Sequence, residues 1–159
     1  MLRDITFLNS KEIRHCKQQL LDQFGHAFTG EFVYVCNDNN RIFIVTPDLA
    51  KINLRNLIID KIGLYLGEQK EHEFRLSKEG AQFLALDAQQ QNASLKNVII
   101  LNSTELKQYF RGLDIPKDCG AESKMVLLQF ESDIIGCAKY KEGIILNFMP
   151  KIHRGEVIV

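Results

Sequence analysis

The sequence has no net charge, no long apolar run and no close pair of cysteines, and each absence closes off a class of function. Twenty Lys plus Arg balance twenty Asp plus Glu. The excess of cations that drives indiscriminate coating of polyanions is therefore missing, and only a local basic patch is left open. No stretch approaches the roughly 20 apolar residues of a membrane-spanning helix. The opening MLRDITFLNS has Asp4 and no apolar block, so it does not read as a secretory leader. A cytoplasmic location without a membrane partner is expected.

Cys16, Cys36, Cys119 and Cys137 lie far apart, with none of the C-x-x-C spacing by which one turn presents two ligands to a metal. His15 and Cys16 are adjacent, but neighbouring helix positions point about 100° apart and do not converge on one ion. No metal and no cofactor are expected, and buried reduced thiols are the plain reading. The Gly-rich phosphate loop, the G-x-S-x-G elbow and H-E-x-x-H are absent as well. His15, His26, His72 and His153 are scattered, with no serine or cysteine pairing nearby in sequence. Cys119, between Asp118 and Gly120, is a weak candidate nucleophile set against an ordinary loop thiol. KEHEF, residues 70–74, reads as a solvated turn. No catalytic residue is assigned.

What is present is the composition of a soluble globular protein, 45% apolar and 25% charged. NSKEIRHCKQQLLDQFG reads as a helix, with Asn9 and Glu12 at capping-box spacing and Gly25 as its stop. Ile13, Cys16, Leu20, Leu21 and Phe24 form its apolar face. GEFVYVCNDNNRIFIVTPD reads as a hairpin turning at 37–40, followed by a short turn or helix from Thr46 that leads toward 54–59. KIGLYLGEQ is a strand, and SKEGAQFLALDAQQQ is a helix from Ser77. The polar QQQNAS at 89–94 is the candidate linker. After it come a buried strand (KNVIIL), a helix (NSTELKQYFRG), the loop LDIPKDCGAES, and three strands (KMVLLQF, DIIGCAKY, GIILNFM) joined by hairpin-sized gaps. The expected class is α+β, with two parts dividing at 1–92 and 93–159.

The last strand runs into Pro150, which cannot donate to a ladder. Lys151, His153 and Arg154 follow on an extended segment able to track phosphates. Arg111 closes a helix, where compensation of the dipole is a sufficient explanation. Lys139 and Lys141 sit where solvated charges normally sit. Asn147, inside an apolar strand, either pins a strand crossing or offers hydrogen bonds to a ligand.

Three groups of residues in the second part are familiar: Arg111-Gly112 with Asp114; Asp133 with Gly136-Cys137-Ala138-Lys139; and Leu146-Asn147 with Pro150-Lys151 and Arg154. With them, residues 95–155 resemble a PUA domain, a small RNA-binding β-barrel. The layout, a mixed α/β pre-PUA domain followed by a PUA-like barrel, is similar to archaeal proteins related to Nip-type ribosome-biogenesis factors. It is similar also to the PUA part of Sun/Fmu RNA cytosine methyltransferases. Arg75-Leu76-Ser77 with Glu79-Gly80 matches the entry segment of such proteins. The resemblance implies binding of structured RNA, rRNA or tRNA, in ribosome biogenesis or RNA modification. It places Arg111, Lys117, Lys139, Lys141, Asn147, Lys151, His153 and Arg154 where they can line the RNA face. Catalysis is not implied, because the methyltransferase relatives keep it in a separate domain and no Pro-Cys dipeptide stands here. Residues 93–159 hold nine Lys plus Arg against eight Asp plus Glu, a net of +1, so RNA would be read by shape and a few contacts. Residues 1–92 are expected to dock a protein partner. The rival readings are an RNA-binding accessory subunit of a methyltransferase or pseudouridine synthase, and a thiol-dependent enzyme using Cys119.

Overall fold

The computed structural model describes residues 5–54, 57, 59 and 61–157. In chain order the elements are β1 (Thr6–Phe7), α1 (Ser10–Phe24), β2 (Val33–Cys36), β3 (Arg41–Val45), β4 (Leu64–Gln69), β5 (Phe74–Leu76) and α2 (Lys78–Gln90). Then come β6 (Val98–Ile100), α3 (Ser103–Phe110), β7 (Ile115–Pro116), β8 (Lys124–Phe130), β9 (Asp133–Lys141) and β10 (Ile144–Leu146). Short 3₁₀ turns occupy Pro47–Lys51 and Lys151–His153. The expected continuation through 54–59 falls partly outside the described residues.

Local chemistry sets the helix ends. The Asn9 side chain accepts from the Lys11 and Glu12 amides, and Glu12 accepts from the Asn9 amide at 2.7 Å. This reciprocal cap satisfies donors that the first turn leaves orphaned. Gly25, at φ 77°, closes α1 in the left-handed region. Ser77 caps α2 by accepting from the Gly80 amide, while its hydroxyl donates to the Tyr65 carbonyl at 2.6 Å. In α1 the buried face is Cys16, Leu20 and Phe24, whereas Leu21 is 45% exposed. The apolar stripe is one residue narrower than its spacing suggests.

The strands form two sheets, β1-β2-β3-β4-β5 and β6-β8-β9-β10-β7. The first is an antiparallel meander; the second is a curled half-barrel in which only the β6–β8 pair is parallel. The architecture is α+β. One continuous core joins the two sheets: Cys16, Leu20 and Phe24 of α1 and Leu66 of β4 share it with Met125 and Leu127 of β8 and Cys137 of β9. A second cluster, with Tyr109, Val126, Tyr140 and Ile145, fills the half-barrel.

Several expectations are corrected. QQQNAS is not a free linker, because α2 runs to Gln90 and a tight turn follows, with the Ala93 amide donating to the Ala88 carbonyl at 2.8 Å. KEHEF is only partly a solvated turn: Glu71 and His72 are exposed, but Phe74 is fully buried at the start of β5. Its amide and carbonyl are held by the Gln23 side chain of α1. KNVIIL is not buried throughout, since Ile100 on the edge strand β6 is 64% exposed. The loop LDIPKDCGAES contains β7, which pairs with β10. Finally, β10 ends at Leu146 and not at Pro150, because the next amide leaves the ladder.

Candidate nucleic-acid interface

The C-terminal end of α3 is where most of the sequence-derived candidates gather. The helix closes on Arg111, and Gly112 turns the chain at φ 78°. A Cβ at Gly112 would collide with the Arg154 side chain, which lies across it. Arg154 Nε donates to the Met149 carbonyl at 3.1 Å, and the Gly155 amide donates to the Phe110 carbonyl at 2.9 Å. The chain after Pro150 is thus folded back over the end of α3. This puts Arg154 against the end of α3, next to Arg111, with Lys151 and His153 on the same exposed segment. Arg111 lies 3.5 Å from the exposed Glu156. Two apolar side chains stand among these cations, Leu113 (52% exposed) and Ile152 (87%).

Asn147 fixes this corner. Its amide nitrogen donates to the Tyr109 and Leu113 carbonyls, at 2.8 and 2.9 Å. Its side-chain oxygen accepts from the Met149 amide, and its own backbone amide donates to Asp114 Oδ1, both at 2.8 Å. The side chain therefore pins the end of β10 to the α3–β7 loop, adding a second donor to the Tyr109 carbonyl, which already accepts from the Gly112 amide, and one to the Leu113 carbonyl in the loop.

The remaining candidates lie elsewhere. Lys117 donates to both Glu105 oxygens at 2.8 Å, and Glu105 is the carboxylate of the α3 capping box. Lys139 of β9 meets Glu73 across the two sheets at 2.6 Å. Lys141 is exposed at the hairpin end of β9. Ile144 pairs with both Lys141 and Pro116, whereas Lys139 pairs with Leu146. Lys117 and Lys141 therefore mark one end of β10, and the Arg111–Arg154 group marks the other.

Between the two sheets opens a cavity of about 360 Å³ that sequence reasoning did not single out. Its walls include Arg41, Tyr65 and Arg75 from the first half, the start of α2, and Phe148, Pro150 and His153 from the second. The Arg75 guanidinium lies 3.8 Å over the Phe148 ring, a cation–π stack. Its Nε is buried without a hydrogen-bond partner, and among the described residues no carboxylate pairs with it. Glu68, on the same wall, is already committed to Lys70 at 2.8 Å and to Arg41 at 3.7 Å. The Lys70 hydrogen bond holds its carboxyl below the usual range. Arg75-Leu76-Ser77 and Glu79-Gly80 thus have distinct tasks. Leu76 enters the core, Ser77 caps α2, and Gly80 lets the helix approach β4 so closely that a Cβ would run into the Leu66 carbonyl.

Thiol chemistry finds no support in the surroundings of Cys119. Desolvation pushes its thiol up, as it does Cys36, while Cys16 and Cys137 are pushed up to about 12. An activated nucleophile needs the opposite shift.

Residues 96–154 match the family model described as the methyltransferase RsmF PUA domain. No curated protein matches the chain. The segment matched takes in α3 and the second sheet, including the Arg111–Arg154 corner. The C-terminal part of the chain is a PUA domain, a module that points to RNA binding.

Proposed function

We propose that this protein is a non-catalytic RNA-binding protein that holds structured RNA, rRNA or tRNA, through its PUA domain during ribosome biogenesis or RNA modification. The observation that carries this reading is the PUA match over residues 96–154, which contains the exposed Arg111–Arg154 corner. Lys151 and Lys141 have no ion-pair partner among the described residues. They supply phosphate contacts that orient the RNA. Arg111 and Arg154 add to them, while Lys117 and Lys139 contribute only by exchanging Glu105 and Glu73 for phosphate. With a near-neutral domain, selectivity comes from RNA shape and from apolar contacts at Leu113 and Ile152, not from bulk charge. Residues 1–92 offer a surface for a protein partner, in the cytoplasm. The matched model belongs to a methyltransferase, which favours a second reading as an accessory subunit; co-purification with a catalytic chain separates the two.

The test is filter binding of bulk tRNA and an rRNA fragment to the wild type and to Lys141→Glu with Lys151→Glu. Both side chains are solvated, so folding is left intact. Affinity is expected to fall at least tenfold, and the salt dependence to flatten by roughly 0.7–0.9 for each phosphate that the variant no longer neutralises. Equal binding of both RNAs by the double variant overturns the reading.

A further inference from the structure

The cavity between the sheets has a feature that packing does not account for. Arg75 is held half-buried on Phe148, with a buried Nε that has no hydrogen-bond partner and, among the described residues, no carboxylate in ion-pair contact. Burying a cation without a partner is unfavourable. Glu68 attracts Arg75 from a distance, but neither Glu68 nor Glu79 comes into ion-pair contact with it: Glu68 holds Lys70 at 2.8 Å with Arg41 at 3.7 Å, and Glu79 lies 3.6 Å from Lys78. What the arrangement does present is a flat guanidinium, backed by an aromatic ring, in a cavity of about 360 Å³. That volume lies at the lower end of the roughly 300–1,000 Å³ of small-ligand sites. Unstacked RNA bases are held on such planes, aromatic or guanidinium.

The cavity is also continuous with the proposed RNA path. His153 and Pro150 line its rim, and they flank Lys151 in the exposed C-terminal turn. A strand tracked by Lys151 and Arg154 reaches the opening without leaving the surface.

The geometry points to a nucleotide subsite: one unpaired nucleotide of the bound RNA leaves its stack and enters the cavity, its base lying on the guanidinium plane of Arg75 that Phe148 supports. Lys78, at the first turn of α2, and Arg41 then face its phosphate. The RNA interface in this view extends into the half of the chain outside the PUA match. The inference rests on the RNA-binding reading above and adds to it the requirement for an unpaired nucleotide.

The experiment compares two probes, an RNA hairpin with an unpaired loop and the fully paired duplex of the same stem. The variants are Arg75→Lys, which keeps the charge but removes the plane, and Phe148→Leu, which removes its support. Each is expected to weaken hairpin binding about tenfold, as loss of one stacked base does, with duplex binding changed less than twofold. A hairpin carrying 4-thiouridine in its loop should photocrosslink to the wild-type protein at peptides containing Arg75 or Phe148, which needs no variant to fold. Equal losses for hairpin and duplex, or crosslinks confined to Lys151–Arg154, overturn the subsite and leave RNA binding standing. If the wild type binds neither probe, the RNA-binding reading fails and the subsite with it.

Discussion

Residues 75–80 and residues 147–154 face each other across the cavity and are built in opposite ways. On the first side almost every residue is fixed: Leu76 is in the core, Ser77 is bonded at both ends of its hydroxyl, and Gly80 touches the backbone of β4. On the second side fewer residues are fixed. Asn147 and Met149 are tied down and Arg154 is held by the Met149 carbonyl, but the side chains of Lys151, Ile152 and His153 after Pro150 are exposed. The difference is one of means. A rigid wall can select by shape, because its cation cannot move to meet a poor fit, whereas an exposed segment can supply charge but little discrimination. On the RNA-binding reading proposed above, both walls are needed for a nearly neutral surface to bind selectively.

The contrast breaks most severely at high pH. Cys137 lies under the rigid wall, in contact with the Leu76 backbone, and burial raises its thiol from the usual 9.0 to about 12. A group whose folded pKa is raised leaves stability intact below its unfolded value and withdraws it as pH climbs toward the folded one. The fold should therefore lose stability between about pH 9 and 12, by on the order of 4 kcal/mol from this thiol at about 1.4 kcal/mol per pH unit. Urea unfolding across that range, wild type against Cys137→Ala, isolates its share. Parallel curves would remove Cys137 from the account.

A smaller effect is expected from adding a methyl group to each wall. Gly80→Ala drives a Cβ into the Leu66 carbonyl, which a packed helix cannot avoid, and should cost about 1–3 kcal/mol. Gly155→Ala, just beyond the other wall, meets nothing within 4 Å and should leave the melting temperature unchanged. Thermal melts of the pair decide it: at roughly 2–4 °C per kcal/mol for a chain of this size, equal midpoints would mean that the first wall is no stiffer than the second.

What the sequence made legible follows the same division. The helices and the β2–β3, β8–β9 and β9–β10 hairpins are readable because their signals are local. Asn9 with Glu12, Ser77 ahead of α2, and the turns within ESD and KEG, which the structure narrows to two residues each (Glu131-Ser132 and Glu142-Gly143), all act within a few positions. The short strands β1 and β7 are not, since each exists only through a distant partner, as Thr6 does through Cys36 and Ile115 through Ile145, whereas β5 pairs with its neighbour β4 but is masked by the charged turn before it. The end of β10 escapes the sequence for the same reason: Pro150 is the visible stop, but the Asn147 amide is diverted earlier, to Asp114. At the site, residue type picks out cations without revealing which of them are already occupied. Glu105 and Glu73 sit 12 and 66 positions from the lysines they hold. The stacking of Arg75 on Phe148 is likewise invisible until the two halves meet.

The smallest expected effect concerns the pair that bridges the two halves beside the cavity. Lys139 and Glu73 are about a quarter exposed and 2.6 Å apart. A pair so placed is partly screened, so a double-mutant cycle with Lys139→Gln and Glu73→Gln should return a coupling of only about 0.2–1 kcal/mol. Its value lies in the accompanying RNA measurement. If Lys139 is spent on Glu73, then Glu73→Gln frees the lysine and should strengthen hairpin binding slightly, while Lys139→Gln changes it little. The reverse pattern, with Lys139→Gln weakening binding and Glu73→Gln leaving it unchanged, would show that Lys139 contacts phosphate despite its partner. The junction would then contribute charge from both walls, and the division into a selecting wall and a charged wall would no longer hold.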